Sequence, residues 1–512
     1  MRIPLASRIR FKYAVIFATV LFLAQQVEGT NTIFSALLAV YILISTVAFN
    51  LAGGFVFPSG WFIFFNATLT CIVGLAYKVL LNEPGESHLK APIVTMLAYC
   101  LGMTMFLGAV ALTRKLIPKG GFLADWCTGE DMKKAALGAF LIGVVFQLLS
   151  YSAQENGSFL AALRQINYFL QMSILLGTFY QVKKSHGEKS SNWIVWSAGI
   201  FLFVTGGILG FSKYGALVSG VTWLSAAIAA GHDFTRKQLL TILGAAVFFQ
   251  TIMVPYSQVA RNLRGDEGTV SSDIKVVMTV LPKIGELRSE YLKDQKEYDV
   301  EGNSPHLYDQ AQGFFDRLAM LPPDDALIAY TTDGNEEGLL PTYFSIINVI
   351  PHFLWKDKPF YYIGNLYAHE IGMIGQDDDT TGISFSPTAD AFHQASWFGV
   401  VLLDPSILFV MFMVIDFLGG DIRRSPWGLL FCVTEAHAAN EGMLGGQIYM
   451  ATYIAFGVVV MATLARYVLP VVSGVISNTD RTRVRKTTDF KPVLKPQSPS
   501  IASPAHPGSR NA

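Results

Sequence analysis

Long stretches with almost no charged residue recur along most of the chain, and this repetition is the feature that most restricts its fold. Backbone N–H and C=O groups buried in hydrocarbon must find partners within the same segment, which a helix provides for every residue. Segments of roughly 17 to 25 residues are long enough to cross about 30 Å of hydrocarbon. They are found near 12–28, 33–51, 55–80, 91–112, 134–151, 160–182, 193–211, 213–231, 237–256, 396–418, 426–441 and 446–470. The expectation is an all-α, polytopic integral membrane protein of about twelve transmembrane helices. A composition 52% hydrophobic and only 15% charged belongs to that class. Helix register is not legible, because lipid-facing helices are apolar nearly all round.

Charge placement then predicts topology. Short loops on the cytoplasmic side collect Lys and Arg, and the basic segments TRKLIPKGG, KKSHGEK, HDFTRKQ, DIRRSP and TDRTRVRKTTDFKPVLK alternate with EGTN, SYSAQENGS and NEGMLGG, which have neither. NEPGESHLK contributes one lysine to the second set. Both ends are therefore expected in the cytoplasm. The basic start MRIPLASRIR leads into an apolar run with no small-residue cleavage site after it, and reads as an uncleaved first span.

Four regions follow. Residues 1–256 form an N-terminal membrane domain of about nine spans, 257–395 a large outer loop, 396–470 the last spans, and 471–512 a polar tail read as disordered. The loop is far longer than ordinary connections, which marks it as a functional element. Within it, Ile274, Val277, Met278, Leu281, Ile284, Leu287 and Tyr291 form a stripe expected to lie along the membrane surface. A second helix is expected near 304–321, and the apolar run that ends at Trp355 reads as re-entrant or interfacial. The four cysteines suit packing, and Asn156-Gly-Ser matches a glycosylation sequon by pattern only.

Candidate chemistry gathers on the outer side. Lys213 in GFSKYG, Arg261 and Arg264 in PYSQVARNLRG, and Lys356 and Lys358 in PHFLWKDKPFYYIG are cations where positive charge is otherwise sparse. Guanidinium forks and compact ammonium groups together suit a diphosphate. Trp355, Phe360, Tyr361 and Tyr362 suit either sugar faces or an interfacial belt. A second set is polar: Ser384, Ser386, Asp390 and His393 before the tenth span, and Glu435, His437, Asn440 and Glu441 within the eleventh. His393 is the better general-base candidate, at the mouth beside the cations. The run Asp377 to Asp379 lacks the spacing of a calcium loop. No metal site, cofactor motif, P-loop, dinucleotide fingerprint or nucleophile elbow is found, and nothing points to nucleic acid.

The GFSKYG turn, the IPHFLWKDKP segment and SPTADAFHQASWFG running into a span, set among about a dozen spans with a large outer loop, resemble the Wzy-type oligosaccharide repeat-unit polymerases of bacteria. These make O-antigen and exopolysaccharide and are related to O-antigen ligases. The resemblance covers most of 12–470; the family favours an arginine where this chain has Lys213, and Gly-Glu where it has His393-Gln394. It implies glycosyl transfer at the periplasmic face of the inner membrane, between glycans linked to polyprenyl diphosphate. No nucleotide sugar, metal or other cofactor is implied. His393, Arg261 and Arg264 would then be catalytic. Lys213, Lys356, Lys358, Ser384, Asp390, Glu435 and His437 would bind substrate. A flippase and a chain-length regulator would be partners beside membrane lipids. An O-antigen ligase and a transporter or flippase of lipid-linked sugars are the alternative readings.

Overall fold

The structure, a computed structural model, describes residues 1–118, 120–152, 167–264, 270–298, 320–352, 354–359 and 361–477. Regular structure among them is helical, without a strand. In chain order the helices are α1 (Phe11–Val27), α2 (Thr32–Ala52), α3 (Pro58–Leu80), α4 (Pro92–Leu116), α5 (Glu130–Ser152), α6 (Phe169–Lys184), α7 (Trp193–Ile208), α8 (Lys213–Ala230) and α9 (Arg236–Arg261). Residues 257–395 contribute α10 (Val270–Tyr298), α11 (Leu321–Thr332), α12 (Leu340–Asn348) and α13 (Ile363–Glu370). The helical stretch Pro387–Gly419 divides into α14 (387–394) and α15 (397–419), followed by α16 (Trp427–Glu441), α17 (Met443–Tyr467) and α18 (Leu469–Ser477).

Seven described helices are long and apolar enough to cross a membrane: α2, α3, α4, α5, α9, Pro387–Gly419 and α17. α1 and α7 are apolar but shorter; the expected spans at 213–231 and 426–441 fall on α8 and α16, and the described part of 160–182 falls largely on α6. This is the helix content of a polytopic membrane protein. The expected helix near 304–321 apart from its last two residues, the sequon at Asn156 and the tail from residue 478 lie outside the described residues.

Contacts between connections sort them to two ends. The Met1 ammonium donates to the Phe234 carbonyl at 2.8 Å, Asp233 N–H donates to Gly187 O, Phe55 N–H to Ala6 O, and Ile422 N–H to Val56 O. At the other end Asn31 N–H donates to Glu86 at 2.7 Å, and Ala91 N–H donates to Asp325 at 3.1 Å. The first end carries Arg2, Arg114, Lys183, Lys184, Arg423 and Arg424. The turn at 209–212, at the opposite ends of α7 and α8 from 185–190 and 231–235, belongs to the second.

Two elements of residues 257–395 pack against the membrane-type helices. α10 contains the expected stripe, of which Val277, Ile284 and Leu287, with Val276 and Val280, pack into a cluster with Phe211, Met253 and Tyr256, while Ile274 and Met278 are exposed. α11 inserts between α4 and α14, with Leu327 and Ile328 fully buried. Its Asp325 carboxylate accepts from Lys90 N–H, Ala91 N–H and Thr95 Oγ1, and so caps the start of α4 from a distant part of the chain.

Candidate functional site

The segment SPTADAFHQASWFG does not run straight into a membrane helix. Ser386 caps α14 through its Oγ, which accepts from Ala389 N–H at 3.2 Å. The helix then breaks at Ala395 and at Ser396, whose φ of 49° lies in the left-handed region. The chain folds back so closely that a Cβ on Gly399 would collide with the Ala391 carbonyl. Thr388 Oγ1 donates to Asp404 Oδ2 at 3.2 Å across the hairpin, and every residue from 387 to 394 is buried. The product is a half-helix enclosed by α4, α11, α15 and α17.

Its anchoring is polar. The first turn meets Asp324 of α11, whose carboxylate accepts from Ser386 N–H at 2.9 Å and from Tyr99 O–H at 2.6 Å. Burial pushes this carboxyl up to about 7, against partial compensation by those hydrogen bonds. Asp390 accepts from Tyr367 O–H, Gln394 Nε2 and Leu444 N–H, all at 2.8 to 2.9 Å. Gln394 in turn accepts from Thr342 Oγ1 at 2.7 Å, tying α12 to the half-helix.

His393, on the last turn of α14, is 1% exposed. Its Nδ1 lies 2.8 Å from Thr331 Oγ1 and its Nε2 lies 3.0 Å from Glu370 Oε2. Thr331 already donates its hydroxyl proton to the Leu327 carbonyl at 2.8 Å, so its oxygen is the acceptor and His393 Nδ1 carries a hydrogen. Nε2 therefore faces carboxylate oxygen. The ligand-type atoms of Glu337, Glu370 and His393 all lie within 4.8 Å of one another. Tyr361 O–H donates to Glu337 at 2.8 Å; burial, then that carboxylate, raise the phenol's pKa and keep it a donor. Tyr367 packs against the imidazole in a T-shaped pair, ring centroids 4.6 Å apart. Tyr361 also lines an open cleft of about 280 Å³ with Tyr362, Ser384, Met443 and Gly445.

The cations form a different group. Arg261 Nη2 donates to the Phe211 carbonyl at 3.3 Å, and the Arg264 guanidinium lies 5.7 Å from the Phe211 ring. Both therefore meet the turn that leads into Lys213, the half-buried first residue of α8. Arg264 is also held by Asp273, at 3.1 and 3.2 Å. Phe211 is buried with φ of 47°, a costly conformation for an aromatic residue. Along α7, α8 and α9, toward their ends near 185–190 and 231–235 and so away from this group, runs a groove of about 570 Å³ with apolar walls that include Trp196, Ile200, Phe203 and Trp223.

The candidates from the sequence thus divide. Lys213, Arg261 and Arg264 come together, as do His393 and Asp390, with Ser384 in the adjoining cleft. α8 packs on α16, and α16 packs on α14, so α16 links the two groups. Lys358 is spent elsewhere: its buried ammonium donates to the carbonyls of Asn348 at 3.3 Å and Ile350 at 2.8 Å. Lys356 is exposed. Glu435 and His437 lie on α16, but their side chains fall outside the described residues. Sequence reasoning missed Asp324, Thr331, Glu337, Glu370 and Asp273, of which only Glu337 lies outside a helix; only the pair Asp324-Asp325 after two prolines, at the start of an apolar helix, hinted at burial. No family model, curated protein or solved structure matches the chain.

Proposed function

We propose that this protein polymerises oligosaccharide repeat units carried on polyprenyl diphosphate into a surface polysaccharide. It works at the periplasmic face of a bacterial inner membrane, crossing about twelve times with both termini in the cytoplasm. The observation that carries the reading is the convergence of Arg261 and Arg264 on the turn at Lys213. Two guanidinium groups and an ammonium gathered at one turn are what the head group of a lipid diphosphate requires.

The chemistry follows from the second group. The acceptor hydroxyl oxygen attacks the anomeric carbon of the donor glycan, the bond from that carbon to the diphosphate oxygen breaks, and the diphosphate leaves with the electron pair. The hydroxyl proton passes to a carboxylate of the Glu337 and Glu370 pair. His393, both of whose ring nitrogens are engaged, positions Glu370 rather than meeting the hydroxyl itself. Tyr362 and Ser384 in the cleft offer a stacking face and a hydrogen bond to a sugar. The departing diphosphate is stabilised by Arg261, Lys213 and the part of Arg264 not held by Asp273. A chain-length regulator and a flippase supplying the units are the partners of this reading.

The test is a set of variants expressed to equal level in a cell that depends on this chain for its polysaccharide. Arg261→Ala, Glu370→Gln and His393→Ala each lower polymer by about 100-fold or more, and single lipid-linked units accumulate on the outer leaflet. Normal-length polymer in all three sinks the proposal. The helix break at Ala395 and Ser396 beside buried carboxylates also suits a transporter, whose sites form on discontinuous helices. Under that reading the unpolymerised units accumulate on the inner leaflet instead.

A further inference from the structure

The immediate surroundings of His393 leave an electrostatic problem. Because Thr331 accepts the Nδ1 hydrogen, the Nε2 side of the ring is aimed, in a 1% exposed position, at Glu370 Oε2 3.0 Å away, with Glu337 beside it. A nitrogen lone pair and two carboxylates cannot share such a space without a positive species between them. A proton on Nε2 is one solution. A metal cation is the other, and the donors suit it: one imidazole nitrogen and two carboxylate oxygens are the ligands that zinc and manganese take.

We propose that His393 Nε2, with one carboxylate oxygen each from Glu370 and Glu337, binds a single divalent transition-metal cation of the zinc or manganese class. Ligands at about 2.1 Å from one ion lie roughly 3.0 to 3.4 Å apart, and the His393–Glu370 pair already has that spacing. Glu337 completes the set by a side-chain rotation. The outer partners of a metal site are also present. Thr331 holds the far side of the imidazole, as metal-bound histidines require, and Tyr361 O–H holds Glu337. Glu370 is partly exposed, and Tyr361, which holds Glu337, lines the open cleft. A ligand with a hydroxyl oxygen, a sugar included, can reach the ion from there.

The site is read without a substrate, so its failure and that of the polymerase reading are separate. Full-length protein in detergent or nanodiscs is stripped with a chelator and titrated with Zn²⁺ or Mn²⁺, binding being followed by elemental analysis and, for Mn²⁺, by electron paramagnetic resonance. Wild type is expected to bind one ion saturably. Glu370→Gln and Glu337→Gln, which keep side-chain shape, weaken that binding at least about tenfold, and Thr331→Val, acting through the imidazole, by about 10 to 100-fold. Asp377→Asn with Asp379→Asn, in the exposed acidic run, leaves it unchanged. Size-exclusion elution and melting temperature show which variants remain folded, and Thr331→Val carries the test should a glutamine variant fail. Absence of saturable binding in folded wild type assigns the space to a proton and overturns the proposal. Binding that survives in folded Glu370→Gln and Glu337→Gln overturns it equally.

Discussion

Two lysines separated by one residue have opposite surroundings. Lys358 is buried with its ammonium on two carbonyls that α12 leaves unpaired at its C-terminal end, and burial lowers its pKa. Lys358→Met strands both carbonyls and is expected to cost about 1 to 3 kcal/mol, seen as a lower melting temperature. Lys356→Met, at an exposed position, leaves stability unchanged. A loss of polymer from Lys358→Met without any loss of stability would assign that lysine to substrate after all. Asp324 carries a pH prediction. Its folded pKa, raised from 3.8 to about 7, means the folded state keeps a proton that the unfolded chain releases. Its contribution is therefore fully present below about pH 4 and declines as pH rises to about 7, by on the order of 4 kcal/mol at most. Thermal melts of wild type from pH 5 to 8 should fall with pH, and Asp324→Asn should flatten that slope. An equal slope in both shows that Asp324 is not the group responsible.

At the scale of elements, the hairpin at Ala395 and Ser396 decides the site. A serine at φ 49° and ψ −139° is in a region that glycine occupies more readily. Ser396→Gly is expected to raise stability by about 1 kcal/mol or more, whereas Gly399→Ala, which drives a methyl into the Ala391 carbonyl, abolishes the folded protein. A gain from Gly399→Ala would mean that the two half-helices do not fold back on each other. α11 acts as a wedge through Asp325, three of whose donors lie at the start of α4. Asp325→Ala removes this cap at a cost of about 1 to 2 kcal/mol, and limited proteolysis at 320–332 should become faster. Periodicity identified the apolar helices well, since length and hydropathy are local properties. It could not show that 387–394 turns back, because the break is made by Ala395 and Ser396, residues with no breaker signature.

On the scale of the whole molecule, the basic connections touch one another at one end and the lysine-poor ones at the other. The four cysteines are all buried, so they give little background for labelling. A membrane-impermeant maleimide applied to spheroplasts is expected to label Asp379→Cys, at an exposed site in the large loop, and to label Arg423→Cys only after permeabilisation. The reverse pattern would place both candidate groups in the cytoplasm and remove the polymerase reading.

The sequence by itself determined the helical class, where most apolar helices lie, and which connections carry positive charge, because hydrocarbon solvation and charge bias act on each segment independently. It also singled out Arg261, Arg264, Asp390 and His393. Only the tertiary structure decided which of these meet, that Lys358 serves carbonyls, and that Thr331, Glu337 and Glu370 surround His393. Those pairings join residues 8 to 62 positions apart. They exist because a buried polar group must be satisfied by whatever the packed chain brings near, and no local pattern encodes that partner.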